Sequence, residues 1–118
     1  NFALIIPGIY IYPGIMKIKF TKGKQICTIF LQEHEGRIAD NYMDFYEGIV
    51  NSAKSEKIYI DLSDVKFFST IFIGQLVKFR NNFPVDYKKV EILNPNPDIH
   101  EVLKIAGMDK IYRIAFKN

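Results

Sequence analysis

Few residues of this chain could do chemistry, and two adjacent hydroxyls, Ser69 and Thr70, stand out by their position. They lie between residues 58–62, which are rich in β-branched and aromatic side chains, and a longer segment whose apolar residues recur at helical spacing. A hydroxyl at such a junction can accept a hydrogen bond from an unpaired N–H group of the first helical turn. It could also serve as a nucleophile if a base were placed beside it.

The candidate bases and acids have no supporting motif. His34 lies between two glutamates in a predicted loop, where neighbouring side chains make a poor set of metal ligands, and His100 is predicted on the exposed side of a helical first turn. Asp61 and Asp64 could form a carboxylate pair, but one lies near the end of a buried strand and the other in a turn. The chain has no Gly-x-Ser-x-Gly elbow and no Walker loop. We therefore predict no catalytic residue, no metal site and no cofactor, and a protein that is not an enzyme.

The elements that must position the two hydroxyls are a strand and a helix. Residues 58–62 predict a buried strand, and Ser63-Asp64 predicts a turn followed by extended chain over 65–68. The helix is predicted over 70–82, with Ser69 or Thr70 as its cap. One arc of this helix carries the apolar residues Phe72, Ile73, Leu76, Val77, Phe79 and Phe83, and the opposite side carries Gln75, Lys78, Asn81 and Asn82.

The rest of the chain alternates strands with helices. Further strands are predicted over 16–20, 25–32, 90–93 and 111–116, and further helices over 40–53 and 97–106. Asn96 and Pro97 are predicted to start the last helix, and Gly107 to end it. Alternating strands and helices favour parallel strand neighbours joined by right-handed crossovers. The predicted fold class is α/β, with a mixed sheet of four to five strands and three main α-helices.

Residues 1–16 carry almost no charge and are treated as an N-terminal extension of a domain that covers residues 17–118. The segment is too short to cross a membrane, and Pro7-Gly8 and Pro13-Gly14 would interrupt a helix. We predict two short extended pieces, 4–6 and 9–12, that pack on the domain as an added edge strand, and no membrane insertion. The alternative is a contact between two copies in a homodimer, or a junction to an upstream segment.

The composition of the chain excludes some classes of protein and some kinds of partner. The 118 residues are 48% hydrophobic and 25% charged, which is typical of one globular domain and excludes a disordered chain. The formal net charge is +3, but the basic residues are scattered along the sequence without a dense cluster, so no nucleic-acid partner is predicted. Cys27 is the only cysteine and falls within an apolar strand pattern, which excludes a disulfide framework and predicts a buried thiol.

The segment around the hydroxyls resembles the signature of the STAS domain, the fold of bacterial anti-sigma-factor antagonists. In that family a strand is followed by Asp-Ser-Ser-Gly-Leu-Gly and then a helix. Thr70 stands here at the switch serine, Ser69 at the preceding Asp, and Gly74 at the second Gly. Gly36-Arg37-Ile38 resembles the family's turn before its first helix, and residues 93–114 resemble its C-terminal helix and last strand. The resemblance covers the chain from about Lys17 to Phe116.

The resemblance implies a cytoplasmic regulatory module in which the helices pack mainly on one face of the sheet. Its partner would be an anti-sigma factor with kinase activity, and Thr70, or else Ser69, would be the phosphorylation site. The implied partner-binding surface consists of Ser69, Thr70, Ile71, Gln75 and Lys78. The alternative is a STAS module that binds its partner without phosphorylation, as a subunit of a transporter or lipid-transport complex or as an input domain of a larger regulator.

Overall fold

The computed structural model describes residues 4–12, 16–21, 23, 26–31, 55–66, 70–82 and 90–117. Seven strands in this part of the chain form one sheet, ordered as they occur along the chain: β1 (Leu4–Ile6), β2 (Ile9–Tyr12), β3 (Met16–Phe20), β4 (Ile26–Leu31), β5 (Lys57–Asp61), β6 (Val90–Leu93) and β7 (Arg113–Ala115). Two α-helices, α1 (Thr70–Asn82) and α2 (Pro97–Ile105), and a 3₁₀ turn, Met108–Lys110, accompany the sheet. The predicted α/β class is confirmed, and the predicted helix over 40–53 lies outside the described residues.

The N-terminal segment contributes two strands, so the predicted count of four to five strands is wrong. β1 and β2 form an antiparallel hairpin around Gly8, whose φ of 77° is a backbone conformation that suits glycine. β2 then pairs antiparallel with β3, with Tyr10 opposite Ile18. Because β2 pairs with β3 and β1 pairs with β2, the N-terminal segment adds two strands to the edge of the sheet. The two short extended pieces themselves are confirmed.

One face of the sheet is the core. β3 and β4 are antiparallel, whereas β4 to β7 are all parallel. The register places Ile18, Ile29, Ile60 and Ile92 side by side across four strands, and each of them is fully buried. Side chains alternate between the faces of a strand, so these residues define a single apolar face, called here the core face. Cys27 lies on it and is fully buried, as predicted.

Both described helices cover the core face. Phe72, Leu76 and Phe79 of α1, and Ile99 and Leu103 of α2, belong to the same buried cluster as the core-face strand residues. The crossovers from β5 to β6 and from β6 to β7 connect parallel neighbours in the same direction along the sheet, and right-handed crossovers then place their helices on one side. The strand bounds differ from the predicted ones by about one residue for β4 and β5.

The C-terminal end differs more from the sequence prediction. Gly107, with φ of 78°, ends α2 as predicted, but a 3₁₀ turn follows and β7 begins at Arg113 rather than at residue 111. The backbone N–H of Tyr112 donates to the carbonyl of Met108, 2.8 Å away, so this residue belongs to the turn. Its ring is nonetheless buried in the core, which shows why the apolar pattern alone predicted a longer strand.

Candidate functional site

The predicted site lies where β5 and β6 end and pass into the helices. We call this edge the rim and define it by residues 61–66, 70–71 and 94–98. The carboxyl ends of parallel strands meet at one edge of a sheet, which brings the two connections together. Part of the first connection, residues 67–69, lies outside the described residues, so Ser69 and its role as a cap remain predictions.

Asn96 joins the two connections of the rim. Its side-chain carbonyl accepts from the backbone N–H of Ile99 at 2.8 Å, which is the predicted cap of α2. Its Nδ2 donates to the backbone carbonyl of Val65 at 3.0 Å, 31 residues away in the chain. A capping pattern in the sequence indicates only local partners, so it does not predict this second bond. The start of α2 is thereby hydrogen-bonded to the segment that leads into α1.

The turn after β5 is also internally bonded. Oδ1 of Asp61 accepts from the backbone N–H of Ser63 at 2.8 Å, and the N–H of Val65 donates to the carbonyl of Leu62 at 3.0 Å. Asp61 is buried and Asp64 is exposed, so the two carboxylates occupy different environments. Asp61 therefore acts as a turn-forming acceptor, which is a common role of aspartate at this kind of position.

Thr70 and Ile71 are exposed at the start of α1. The helix begins at Thr70, and the side chain of Ile71 is 58% exposed despite being apolar. The opposite side of the helix is fixed by Phe72 and Phe79, which are fully buried. Ile71 thus points away from the core, as its predicted place in the partner-binding surface requires, and it directly follows Thr70 in the chain. The first turn of α1 contains no acidic residue.

Gln75 does not lie on the outer side of α1, and its predicted place in the partner-binding surface is therefore corrected. It is only 4% exposed, whereas Lys78, one turn further along, is exposed. Gln75 follows Phe72 by three residues and precedes Phe79 by four, so it belongs to the inward stripe by spacing. The prediction had placed Gln75 opposite the apolar arc from the helical angles, whereas it lies at the border of that arc.

The far half of α1 is attached to the C-terminal segment. The hydroxyl of Tyr112 donates to the carbonyl of Leu76 at 2.5 Å, and Nε of Arg80 donates to the carbonyl of Ile111 at 3.1 Å. Burial raises the pKa of Tyr112 above its ordinary value because the core cannot solvate a phenolate, although Arg80 lowers this pKa in part. α1 is thus fixed at its far end by side-chain bonds and along its length by the core.

The predicted bases contribute no catalytic arrangement within the described residues. His34 lies outside them. His100, which is predicted on the exposed side of its helix, is half-buried, and its ring packs edge-on against Phe116 with 5.3 Å between the ring centres. His100 also borders a cleft of about 490 Å³ with Lys104, Asp109 and Arg113. In the part of the chain that the structure describes, no group of three or more His, Cys, Asp or Glu residues could hold a metal ion. Neither described helix is long and apolar enough to cross a membrane.

A family model and two solved structures are similar to this chain. The model of the STAS domain family matches residues 8–117. The fold is similar to a solved anti-sigma-factor antagonist (STAS) domain protein from Planctomyces limnophilus, with a TM-score of 0.66 and 18% identity over 87% of this chain and 90% of that one. It is also similar to an anti-sigma factor antagonist from Mycobacterium paratuberculosis, with a TM-score of 0.62 and 15% identity over 88% of each chain. No curated protein sequence matches this chain significantly.

Proposed function

The chain belongs to the STAS domain family, and from that premise we propose that it is a regulatory module that binds a protein partner as an anti-sigma-factor antagonist does. The proposed partner is an anti-sigma factor with kinase activity, which supplies ATP and Mg²⁺. This chain is then the ligand and the phosphorylation substrate rather than a catalyst. The proposed contact surface consists of Ser69, Thr70, Ile71 and Lys78.

The exposure of Ile71 is the observation that carries this proposal. An isoleucine that is 58% exposed beside a hydroxyl at a helix start leaves apolar area in water that a partner could cover. The helix that presents it is fixed by Phe72 and Phe79 in the core and by the bonds of Arg80 and Tyr112. A rigid surface of this kind loses little conformational entropy when a partner docks.

Thr70 is the proposed phosphorylation switch. A phosphate would add a charge of about −1.5 to −2 at the first residue of α1. The helix dipole favours negative charge there, and the first turn of α1 contains no acidic residue to repel it, so the fold would tolerate the modification. A docked partner would have to desolvate the same charge next to Ile71, which opposes binding.

Three variants test the surface and the switch separately. Ile71→Glu should abolish partner binding without changing the melting temperature, because this side chain lies outside the core. Thr70→Glu should weaken binding by placing part of the phosphate's charge at the same position. Thr70→Ala should retain binding but should not gain mass when incubated with the cognate kinase, whereas the parent chain should gain one phosphate by intact-mass measurement.

Ile105→Glu is the matched control for the surface. Ile105 is 78% exposed on α2, so this variant introduces the same charge at another exposed isoleucine. Equal losses of binding in Ile71→Glu and Ile105→Glu would indicate a nonspecific effect of charge. Binding that survives both Ile71→Glu and Thr70→Glu would contradict the proposed surface.

The second candidate function is a STAS module without a phosphorylation switch. The sequence favours it at one position, because Ser69 stands where the family pattern has an acidic residue before the switch serine. Such a module would bind within a transporter or lipid-transport complex, or serve as an input domain of a larger regulator. Loss of binding in Ile71→Glu, with no phosphate gained by the parent chain, would support this alternative.

A further inference from the structure

The sheet has a second face, and the described helices do not cover it. α1 and α2 both contribute to the cluster on the core face, and side-chain alternation places the intervening strand residues on the other side. We call this side the open face. Its central residues are Lys17, Lys19, Thr28, Phe30, Lys57, Tyr59, Glu91 and Arg113.

Strand register aligns the open face into a continuous row. Lys19 is the Cα partner of Thr28, which pairs with Tyr59, which pairs with Glu91, which pairs with Arg113. The row crosses five strands, and neighbouring strands lie about 4.8 Å apart, so it is about 19 Å long. Within these five strands the row has a cation at each end and an aromatic ring at its centre, and beyond Lys19 it continues onto the apolar residues Ile9 and Ile6.

The charge on this face is mainly positive, because its cations outnumber its two carboxylates, Glu91 and Asp61, the second of which pairs with Phe30 and is buried. Glu91 is almost buried and forms an ion pair with Lys57. Lys17, Lys19, Arg113 and Lys117 have no carboxylate in ion-pair contact among the described residues. Lys117 belongs to the same face because its Nζ donates to the hydroxyl of Tyr59 at 3.0 Å, and this hydrogen bond raises the pKa of the lysine.

Two ammonium groups lie within 6 Å of the centre of each aromatic ring of the open face. Lys17 and Lys19 lie 5.7 and 5.6 Å from the centre of the Phe30 ring, and Lys57 and Lys117 lie 5.7 and 4.8 Å from the centre of the Tyr59 ring. Both rings are partly exposed. They stand on adjacent strands two residues out of register, which separates their Cα atoms by about 8 Å.

We propose that the open face binds single-stranded nucleic acid, with bases stacked on Tyr59 and Phe30 and phosphates bound by the lysines and Arg113. A single strand offers the two features that this face matches, planar rings for stacking and a regular series of anionic groups. An acidic peptide would use the cations alone and leave the rings without a role. This function is separate from the rim and goes beyond the proposed protein-binding role.

The even spread of basic residues along the sequence had predicted no nucleic-acid partner. The fold changes the basis of that prediction. Residues 17 and 19, residue 57, and residues 113 and 117 lie in three distant parts of the chain, and the strand register and the bond of Lys117 to Tyr59 bring them to one face. A basic surface gathered in this way is the electrostatic footprint that nucleic-acid binding requires.

Fluorescence anisotropy of the full chain with a labelled single-stranded oligouridylate tests the proposal. We expect binding at low salt, with a slope of log affinity against log salt of about −3 if four cations each neutralise one phosphate. Lys19→Gln should make this slope shallower by about 0.7. Tyr59→Val, which keeps a β-branched residue in the strand, should weaken binding by about 5- to 150-fold through the loss of one stacked base.

Two matched variants outside the open face are the controls. Lys110→Gln removes an exposed lysine, and Phe116→Ala removes an exposed ring that contacts His100, so neither should change oligonucleotide binding. Absence of binding at low salt would overturn the proposal. Equal losses in Lys19→Gln and Lys110→Gln, or undiminished binding in Tyr59→Val, would overturn it in favour of unspecific attraction to polyanions. Binding of an acidic polypeptide or of phosphatidylserine vesicles without binding of the oligouridylate would also overturn it.

Discussion

Single side chains hold both ends of α1 in place. Near its start, the bond from Asn96 to the carbonyl of Val65 fixes the chain that leads into the helix. In its second half, Tyr112 and Arg80 bond the helix to the C-terminal segment. The position of the proposed contact surface therefore depends on residues that no partner touches.

Tyr112→Phe should reveal the buried hydroxyl through the pH dependence of stability. Removing one hydrogen bond should lower the free energy of unfolding by about 0.5–1.5 kcal/mol at neutral pH. Burial raises the pKa of Tyr112 above its ordinary value of 10.0, so the unfolded chain loses this proton first and the parent becomes less stable as pH rises above that value. The parent should lose up to about 1.4 kcal/mol more per pH unit than Tyr112→Phe.

Urea unfolding of both chains between pH about 8 and about 11 measures this difference. The other tyrosines are common to the two chains, so their ionisation cancels in the comparison. Parallel pH profiles would show that the phenol of Tyr112 reaches water in the folded state.

Asn96→Ala should destabilise the rim by removing two bonds at once. Loss of the cap of α2 and of the bond to Val65 should lower the free energy of unfolding by about 1–3 kcal/mol. Asn96→Asp is the matched comparison, because its carboxylate can still accept from Ile99 but cannot donate to Val65. The free energy of unfolding of Asn96→Asp should lie between those of the parent and of Asn96→Ala. If Asn96→Asp were as stable as the parent, the bond to Val65 would contribute nothing to stability.

Some features of single side chains near the site follow from the sequence, and others depend on the fold. The cap formed by Asn96 and the burial of Cys27 could be predicted, because both depend on local pattern. The burial of Gln75 could have been predicted from its spacing of three and four residues to Phe72 and Phe79, which places it at the border of the apolar arc. The bond from Asn96 to Val65 could not, because it depends on which strand ends lie side by side.

Among the elements, the N-terminal hairpin is the least expected part of the sheet. Deleting residues 1–14 would remove β1 and β2 and leave β3 as an edge strand with unpaired backbone groups. It would also remove Tyr10, whose ring packs edge-on against Phe20 at 5.8 Å. The free energy of unfolding should fall by about 1–3 kcal/mol or more, as measured by urea unfolding.

Tyr10→Ala separates the two contributions, since it removes the ring and keeps the strands. Sedimentation of the full and truncated chains tests the further proposal that the hairpin forms a homodimer contact, which predicts a dimer that becomes a monomer on truncation. A truncated chain that unfolds and sediments like the full chain would show that the hairpin only links the domain to its surroundings.

The elements could be predicted more closely than the sheet they form. The bounds of α1, β1, β2, β3 and β6 agree with the sequence prediction because periodicity and turn residues mark them directly. The number of strands in the sheet could not be derived in the same way. Whether Ile9–Tyr12 pairs with β3 depends on backbone hydrogen bonds between strands, which leave no periodic trace in the side chains.

The molecule has two candidate binding surfaces that differ in their side chains: the rim at one edge of the sheet and the open face on one of its sides. The rim is formed where strands end, and it offers an exposed isoleucine beside a hydroxyl. The open face is formed by the sides of the strands and offers cations and rings. Substitutions on one surface leave the side chains of the other unchanged, so the two proposed functions can be tested independently in one protein.

The order of the strands has a consequence for how the molecule is assembled. Each described strand from β2 to β7 pairs with the described strand that precedes it in the chain, so none of them has to be inserted between two strands already in place. A chain that emerges from the ribosome with its N-terminal end first can therefore add each new strand to the growing edge of the sheet. At every stage the only unpaired edges of the described sheet are the outer edge of β1 and that of the most recent strand, which limits the aggregation-prone surface of the nascent protein.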